Sequence, residues 1–259
     1  MSDATSPRKV LTIVVPAYNE VRFIAQTLSV VSAAAQRHLD DYEIIMIDDG
    51  SQDGTGDAAE AFAATASKVR VHRQPRNMGV GAAYLTGLQQ ARFPFITVVP
   101  GDNAFSVEAL DNVFAVVGES NLIVSYRDNM EVRTPLRRTL SIICTTMMGV
   151  VSGRRVRDAH SMFVFPVALA RYVNVQPDYS YHIQSLGRLL VLVRDFREVP
   201  APLNPRPDAN SGVMKAKIIM RLGTAMLGLG YWRATTVLER RRMSGDLAEA
   251  RSILSTDKK

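Results

Sequence analysis

The sequence predicts an α/β protein, a mostly parallel sheet with helices on both faces. Three observations predict it. Short apolar runs alternate with longer stretches of helical periodicity. The runs are nearly continuous, as strands covered on both faces require. The first runs end in turns rich in Asp, Asn, Gly or Pro. The 259 residues suffice for one large domain or two small ones, and 47% hydrophobic content marks a globular chain.

The elements follow in order. "VLTIVVPAYNE" (10–20) is a strand stopped at a turn by Pro16, and residues 21–38 have the spacing of a helix. "EIIMIDDGSQDGT" (43–55) carries a second strand, Ile44 to Ile47, ending on the adjacent carboxylates Asp48 and Asp49. An Ala-rich helix over 55–66 precedes the short strand "VRVHRQP" (69–75). A helix opening on glycines (79–92) and the strand "FITVVPGDN" (95–103) complete this half. In such sheets ligands lie beyond the carboxyl ends of the strands. The turns 16–20, 48–51, 73–77 and 100–103 therefore converge on one crevice. Asp48 and Asp49 have two readings, a capped turn or an anionic pair placed for a ligand. The convergence favours the ligand.

After residue 120 the pattern changes. "NLIVSY" (121–126) reads as a strand, and a charged loop enters a helix near Pro135 that is apolar nearly all round over 139–153. A strand and helix follow over 162–173, and a helix and a last strand over 186–203. A proline-rich loop (201–212) leads into 213–242, and 243–259 is a polar tail. The apolar part of 213–242, Ile218 to Trp232, is interrupted by Arg221 and flanked by Lys215, Lys217, Arg233 and Arg240–Arg242. Three readings stand for it: a core or oligomerisation helix, an amphipathic helix on an anionic membrane surface, or a span. The apolar part is shorter than the roughly 20 residues that a bilayer requires.

The net charge of +6 is unevenly placed. Residues 1–119 carry 9 Lys/Arg against 14 Asp/Glu, and residues 120–259 carry 22 against 11. The basic half calls for an anionic partner, a lipid headgroup or a phosphate-bearing substrate. No aromatic interleaving or zinc-finger spacing supports nucleic acid. The single cysteine, Cys144, excludes an internal disulfide framework and a multi-cysteine metal site. "MSDATSPRK" is polar and unlike a signal peptide, so a cytoplasmic location is the simplest expectation.

These pieces resemble the family 2 glycosyltransferases and, within them, the polyprenyl-phosphate sugar transferases typified by dolichol-phosphate mannosyltransferase. "VVPAYNE" (14–20) and "IDDGSQDGT" (47–55) match the family's first two nucleotide-binding motifs, and "RNMGVGAAYLTGL" (76–88) its glycine-rich helix entrance. "SYR" (125–127), "PLRR" (135–138), "DAHSMFVF" (158–165) and "REVPAPLNPR" (197–206) follow the subgroup's later landmarks in order. The resemblance implies a GT-A fold, Rossmann-like, over 10–212, with a nucleotide-binding half (10–119) and an acceptor half (120–212). A loose N-terminus (1–9) and an amphipathic, membrane-associated segment (213–242) flank it.

Carried over residue by residue, Pro16, Tyr18 and Glu20 border the nucleoside of a UDP- or GDP-sugar. Asp48 or Asp49 accepts hydrogen bonds from the base, and Ser51, Asn77, Gly79 and Asp102 complete the donor site. Arg127, Arg138 and Arg206 hold phosphates, with Asp158 close to the reacting centre. The implied reaction inverts the anomeric centre, on a polyprenyl-phosphate acceptor at the inner face of the membrane. A homo-oligomer is compatible with it. The family expects Asp-x-Asp for a divalent cation, Mg²⁺ or Mn²⁺, where this chain has Pro100-Gly101-Asp102-Asn103. Asp102 and Asn103 are left as the cation's ligands. "SMF" also places Met162 where the subgroup has glycine. Rival readings are an alcohol acceptor with Asp158 as base, and an inactive nucleotide-sugar-binding relative. A dinucleotide oxidoreductase rests only on "GVG" (79–81), a weak signal.

Overall fold

The computed structural model describes residues 8–173, 176–178, 180–205 and 216–236. Arg206, the rest of the proline-rich loop, most of the N-terminal segment and the polar tail 243–259 lie outside the described residues. The first half follows the predicted alternation. It runs β1 (Val10–Ala17), α1 (Ile24–His38), β2 (Asp41–Asp48), α2 (Thr55–Ala63), β3 (Val69–Arg73), α3 (Val80–Gln90) and β4 (Phe95–Val98). Pro16 does not stop β1 but pairs within it, opposite Ile47. Next comes α4 (Val107–Phe114), which the sequence reading passed over. The Ser106 side chain caps it by accepting the Ala109 N–H, and Glu108 sits in its first turn.

The second half comprises β5 (Ile123–Tyr126), α5 (Pro135–Ser152), β6 (Phe163–Pro166), α6 (Tyr181–Leu192), β7 (Arg197–Pro200) and α7 (Ala216–Thr236). The helix expected after β6 is a 3₁₀ segment, Val167–Tyr172. The seven strands lie in the order β3-β2-β1-β4-β6-β5-β7. All pairings are parallel except those of β6, which runs against both β4 and β5. Because β6 is reversed, its first residues, not its last, lie beside the carboxyl ends of β4 and β5. That reversal carries 158–162 to the same edge as Tyr126 and Arg127.

The apolar runs are explained by two cores. Leu11, Ile13 and Val15 of β1, with Ile44 and Met46 of β2, pack beneath α1 and α4. Val14, Ile45 and Ile47 face the other way, toward Tyr84 of α3, Cys144 and Met148 of α5, the leucines of α6, and Met226 and Leu229 of α7. Successive strand residues thus enter opposite layers, each large aliphatic side chain contributing about 1.5–3 kcal/mol by leaving water. Gly87 lets α3 approach β1: a Cβ there would stand 2.4 Å from a Val14 methyl. α7 is partly a core helix, since Met226 and Leu229 are buried.

Candidate active site

The loops after β1 and β2 are laced together. Asn19 N–H donates to Ser51 Oγ (3.0 Å), Glu20 N–H to Thr55 Oγ1 (2.8 Å) and Val21 N–H to Asp53 Oδ2 (3.1 Å). In return, Gln52 N–H donates to Asn19 Oδ1 (3.0 Å), Asn19 being held at φ 57°. Pro16 is buried beneath this lacing, Tyr18 is exposed and Glu20 half-buried.

Asp48 and Asp49 lie beneath the same crevice, both buried. Asp48 Oδ1 accepts the Ser51 N–H (3.0 Å), and Oδ2 stands 3.4 Å from Arg73 Nε. Asp49 accepts the N–H of Met78 (2.7 Å) and of Gly79 (2.8 Å), one on each oxygen. It thereby pins the Asn77–Gly79 turn, where Gly79 takes φ 92°, to the end of β2. Gly81 packs on the chain before α6: a Cβ there would come within 2.5 Å of the Asp178 backbone. Each carboxylate retains further acceptor positions beyond those used.

Gly101 N–H bonds to Pro16 O (3.0 Å), drawing the turn after β4 against β1. Asp102 Oδ1 accepts the Ala104 N–H (3.2 Å), and Asn103 sits at φ 54° with its carbonyl taken by Asn204 Nδ2. Among the described residues no group of three or more His, Cys, Asp or Glu gathers as a metal cage.

Beside this turn opens a cavity of about 520 Å³. Leu140, Ile143, Cys144 and Met147 of α5, Ile183 of α6 and Met226 of α7 form its apolar wall. Its polar lining includes Asp102, Arg127, Arg133, Arg137, His160, Ser161 and His182. Arg127 and Asp158 form a buried fork, Nε to Oδ2 at 2.5 Å and Nη2 to Oδ1 at 2.7 Å. Arg127 Nη2 also reaches Ser141 Oγ (2.9 Å), and Asp158 accepts the His160 N–H (2.9 Å). Burial by itself would raise the Asp158 carboxyl, but the Arg127 guanidinium holds it below the ordinary carboxylate value. Burial pushes His160 down to about 4 and His182 down to about 3, so both rings are neutral at physiological pH.

The predicted donor-side residues thus share one edge of the sheet, with Arg127 and Asp158 next to them. Arg138 is exposed and is not part of the cavity lining, whereas Arg133 and Arg137 are. Arg133, Arg137, His160 and His182 escaped the sequence reading. For Arg137 a signal existed: Arg137, Leu140, Ser141, Cys144 and Met147 recur at three- or four-residue steps, one face of α5. Arg138 is about 100° round that helix.

The sheet order, the reversed β6 and the laced loops at the strand ends define a GT-A glycosyltransferase fold. The chain belongs to glycosyl transferase family 2, whose family model matches residues 12–167. Among curated relatives, a dolichyl-phosphate beta-glucosyltransferase of Trichomonas vaginalis is 27% identical over 255 residues, 88% of this chain and 74% of that one. A dodecaprenyl-phosphate galacturonate synthase of Rhizobium johnstonii is 27% identical over 151 residues, 57% of this chain and 45% of that one. The chain spans about half the length of several other relatives that it matches. A solved glucosyl-3-phosphoglycerate synthase of Mycobacterium tuberculosis, bound to Mn²⁺, UDP and phosphoglyceric acid, superposes with a TM-score of 0.60 at 18% identity. That match covers 84% of this chain and 78% of the other.

Proposed function

We propose that this chain moves a sugar from a nucleotide-sugar to a polyprenyl phosphate, inverting the anomeric centre. The cavity carries the reading: an apolar wall from three helices meets three arginine side chains and Asp102 at the strand ends. An acceptor that is a hydrocarbon with an anionic head matches that division. The names of the curated relatives support it from a separate side.

The donor's nucleoside lies against Pro16, Tyr18 and Glu20, with Asp48 or Asp49 accepting from the base and Ser51, Asn77 and Gly79 closing the site. A uracil or guanine ring offers N–H donors to such carboxylates. Asp102 is half-buried, lines the cavity and is the carboxylate nearest the β4 turn, which suits a divalent cation held mainly by the diphosphate and water. Asn103 stands beside it. The bound cation would neutralise charge on the departing nucleoside diphosphate.

A phosphate acceptor is ionised without help, so the protein has to hold it in line rather than deprotonate it. Arg133 and Arg137 offer guanidinium forks for its oxygens, and Arg137 takes the part expected of Arg138. Asp158 fixes the Arg127 fork in the cavity wall. With Asp158 committed to Arg127 and its carboxyl held low, general-base work on an alcohol is the weaker reading.

The same helices present an outer apolar face, with Leu136, Ile142 and Val150 of α5 and Leu227 and Tyr231 of α7 exposed. Among the described residues no helix is long and apolar enough to cross a membrane. We therefore read this face as peripheral, resting on the anionic inner leaflet where the acceptor resides.

The test offers a short-chain polyprenyl phosphate and the matching polyprenol with each of a panel of UDP- and GDP-hexoses. Transfer to the phosphate alone is expected. Transfer to the alcohol and not the phosphate would overturn the reading and give Asp158 the base's role.

A further inference from the structure

Resting on the reading above, we infer that His182 is the sugar-reading residue, its Nε2 hydrogen-bonding to a hydroxyl of the transferred hexose. His182 opens α6 and lines the cavity with Asp102 and Arg127. Its Nε2 is buried and has no hydrogen-bond partner among the described residues. A buried polar atom left so costs about 1–3 kcal/mol unless something satisfies it. The ring is held edge-on by Phe163, with centroids 4.8 Å apart, and by Tyr181 at 5.9 Å. It is therefore not free to swing elsewhere for a partner.

A hexose hydroxyl both donates and accepts, so it satisfies Nε2 whichever ring nitrogen carries the proton. An ionised phosphate only accepts and would satisfy it in one tautomer alone. Burial first, then His160 and Arg127, outweigh the opposing pull of Asp158 and keep the ring neutral down to a pH of about 3. So weak a base takes no proton from a hydroxyl; it recognises one. His160 Nδ1, also buried and unpartnered, lies close by on the same wall and is the second candidate for such a bond. A site built around a hydroxyl rejects analogues lacking it, because its own polar atom is then left bare.

The experiment measures binding of UDP, GDP and a panel of UDP- and GDP-hexoses to wild type, His182→Phe and His182→Gln by calorimetry. His182→Phe should bind the free nucleoside diphosphate as before and the preferred nucleotide-sugar about tenfold more weakly. His182→Gln, whose amide can donate or accept, should recover much of the difference. Equal weakening of both ligands, or of neither, would overturn the inference. In wild type carrying ¹⁵N-histidine, the Nε2 resonance should move on adding the nucleotide-sugar and stay put on adding the nucleoside diphosphate. That readout holds if a variant fails to fold, and an unmoved resonance would overturn the inference while leaving sugar transfer intact. Wild type that binds no nucleotide-sugar would overturn both this inference and the proposed function.

Discussion

Arg127 and Asp158 face each other through two parallel hydrogen bonds, with side chains only 4% and 6% exposed. Removing either partner leaves a buried charge unanswered. Arg127→Met and Asp158→Asn should each cost about 3–5 kcal/mol, and the double replacement by apolar residues less than the sum. Urea titration of the four proteins would measure this. A double variant as costly as the two singles added would mean that the residues act independently.

The pair also sets a dependence on acid. The folded carboxyl is depressed, so its contribution is complete above the unfolded value of about 3.9 and is lost as pH falls through the folded value. The histidines act at a higher pH. His160 and His182 titrate near 4 and 3 when folded, against about 6.5 when unfolded, so the unfolded chain takes up protons first. Stability should fall by about 1.4 kcal/mol per pH unit for each of them as pH drops from 6.5 toward 4. Denaturation midpoints across that range should show the slope, with about half of it gone in His182→Gln.

Asp49→Ala leaves the Met78 and Gly79 amides without their carboxylate. Each stranded amide should cost about 1–3 kcal/mol, and nucleoside diphosphate affinity should fall even without metal, because the Asn77–Gly79 turn is released. Asp102→Ala should weaken binding only when Mg²⁺ or Mn²⁺ is added. Thermal shift with UDP or GDP, with and without cation, separates the two. A cation-dependent gain that survives Asp102→Ala would remove Asp102 from the cation's ligands.

The outer apolar face gives a membrane prediction. Ile142→Ser with Leu227→Ser should reduce flotation with anionic vesicles several-fold and leave transfer to a short, water-soluble polyprenyl phosphate near normal. Salt should weaken the wild-type interaction as screening requires. Equal flotation of variant and wild type would place the contact elsewhere.

Much of the fold could be read because strands buried on both faces write themselves as unbroken apolar runs. Ile44 to Ile47 is the clearest case. The reversal of β6 could not be read, since "MFVF" looks the same in either direction and only pairing with β4 and β5 gives it a sense. α4 went unread because its eight residues offer two helical turns, too few for periodicity to stand out. On the site, motif spelling located Asp48, Asp49, Asp102, Arg127 and Asp158 at one edge. It did not show that the Asp49 carboxylate already holds backbone amides, because those of Met78 and Gly79 come from a distant turn. Helical phase would have preferred Arg137 to Arg138. His182 has no motif at all; only three-dimensional burial exposes its lone nitrogen.

Arg233 of α7 donates to the carbonyl of Val151 (2.9 Å), near the end of α5, and a Cβ on Gly153 would meet its guanidinium at 2.5 Å. Gly223 and Met226, on the same helix, line the cavity. The cavity proposed for the acceptor is therefore closed by a segment that leaves the ribosome after every strand of the sheet has been made. A nascent chain gains the strand-end loops proposed for the donor early and the cavity's last wall late. Synthesis itself orders the two: until α7 has emerged and Arg233 has latched onto α5, the proposed nucleotide site can stand while the proposed lipid site still lacks a wall.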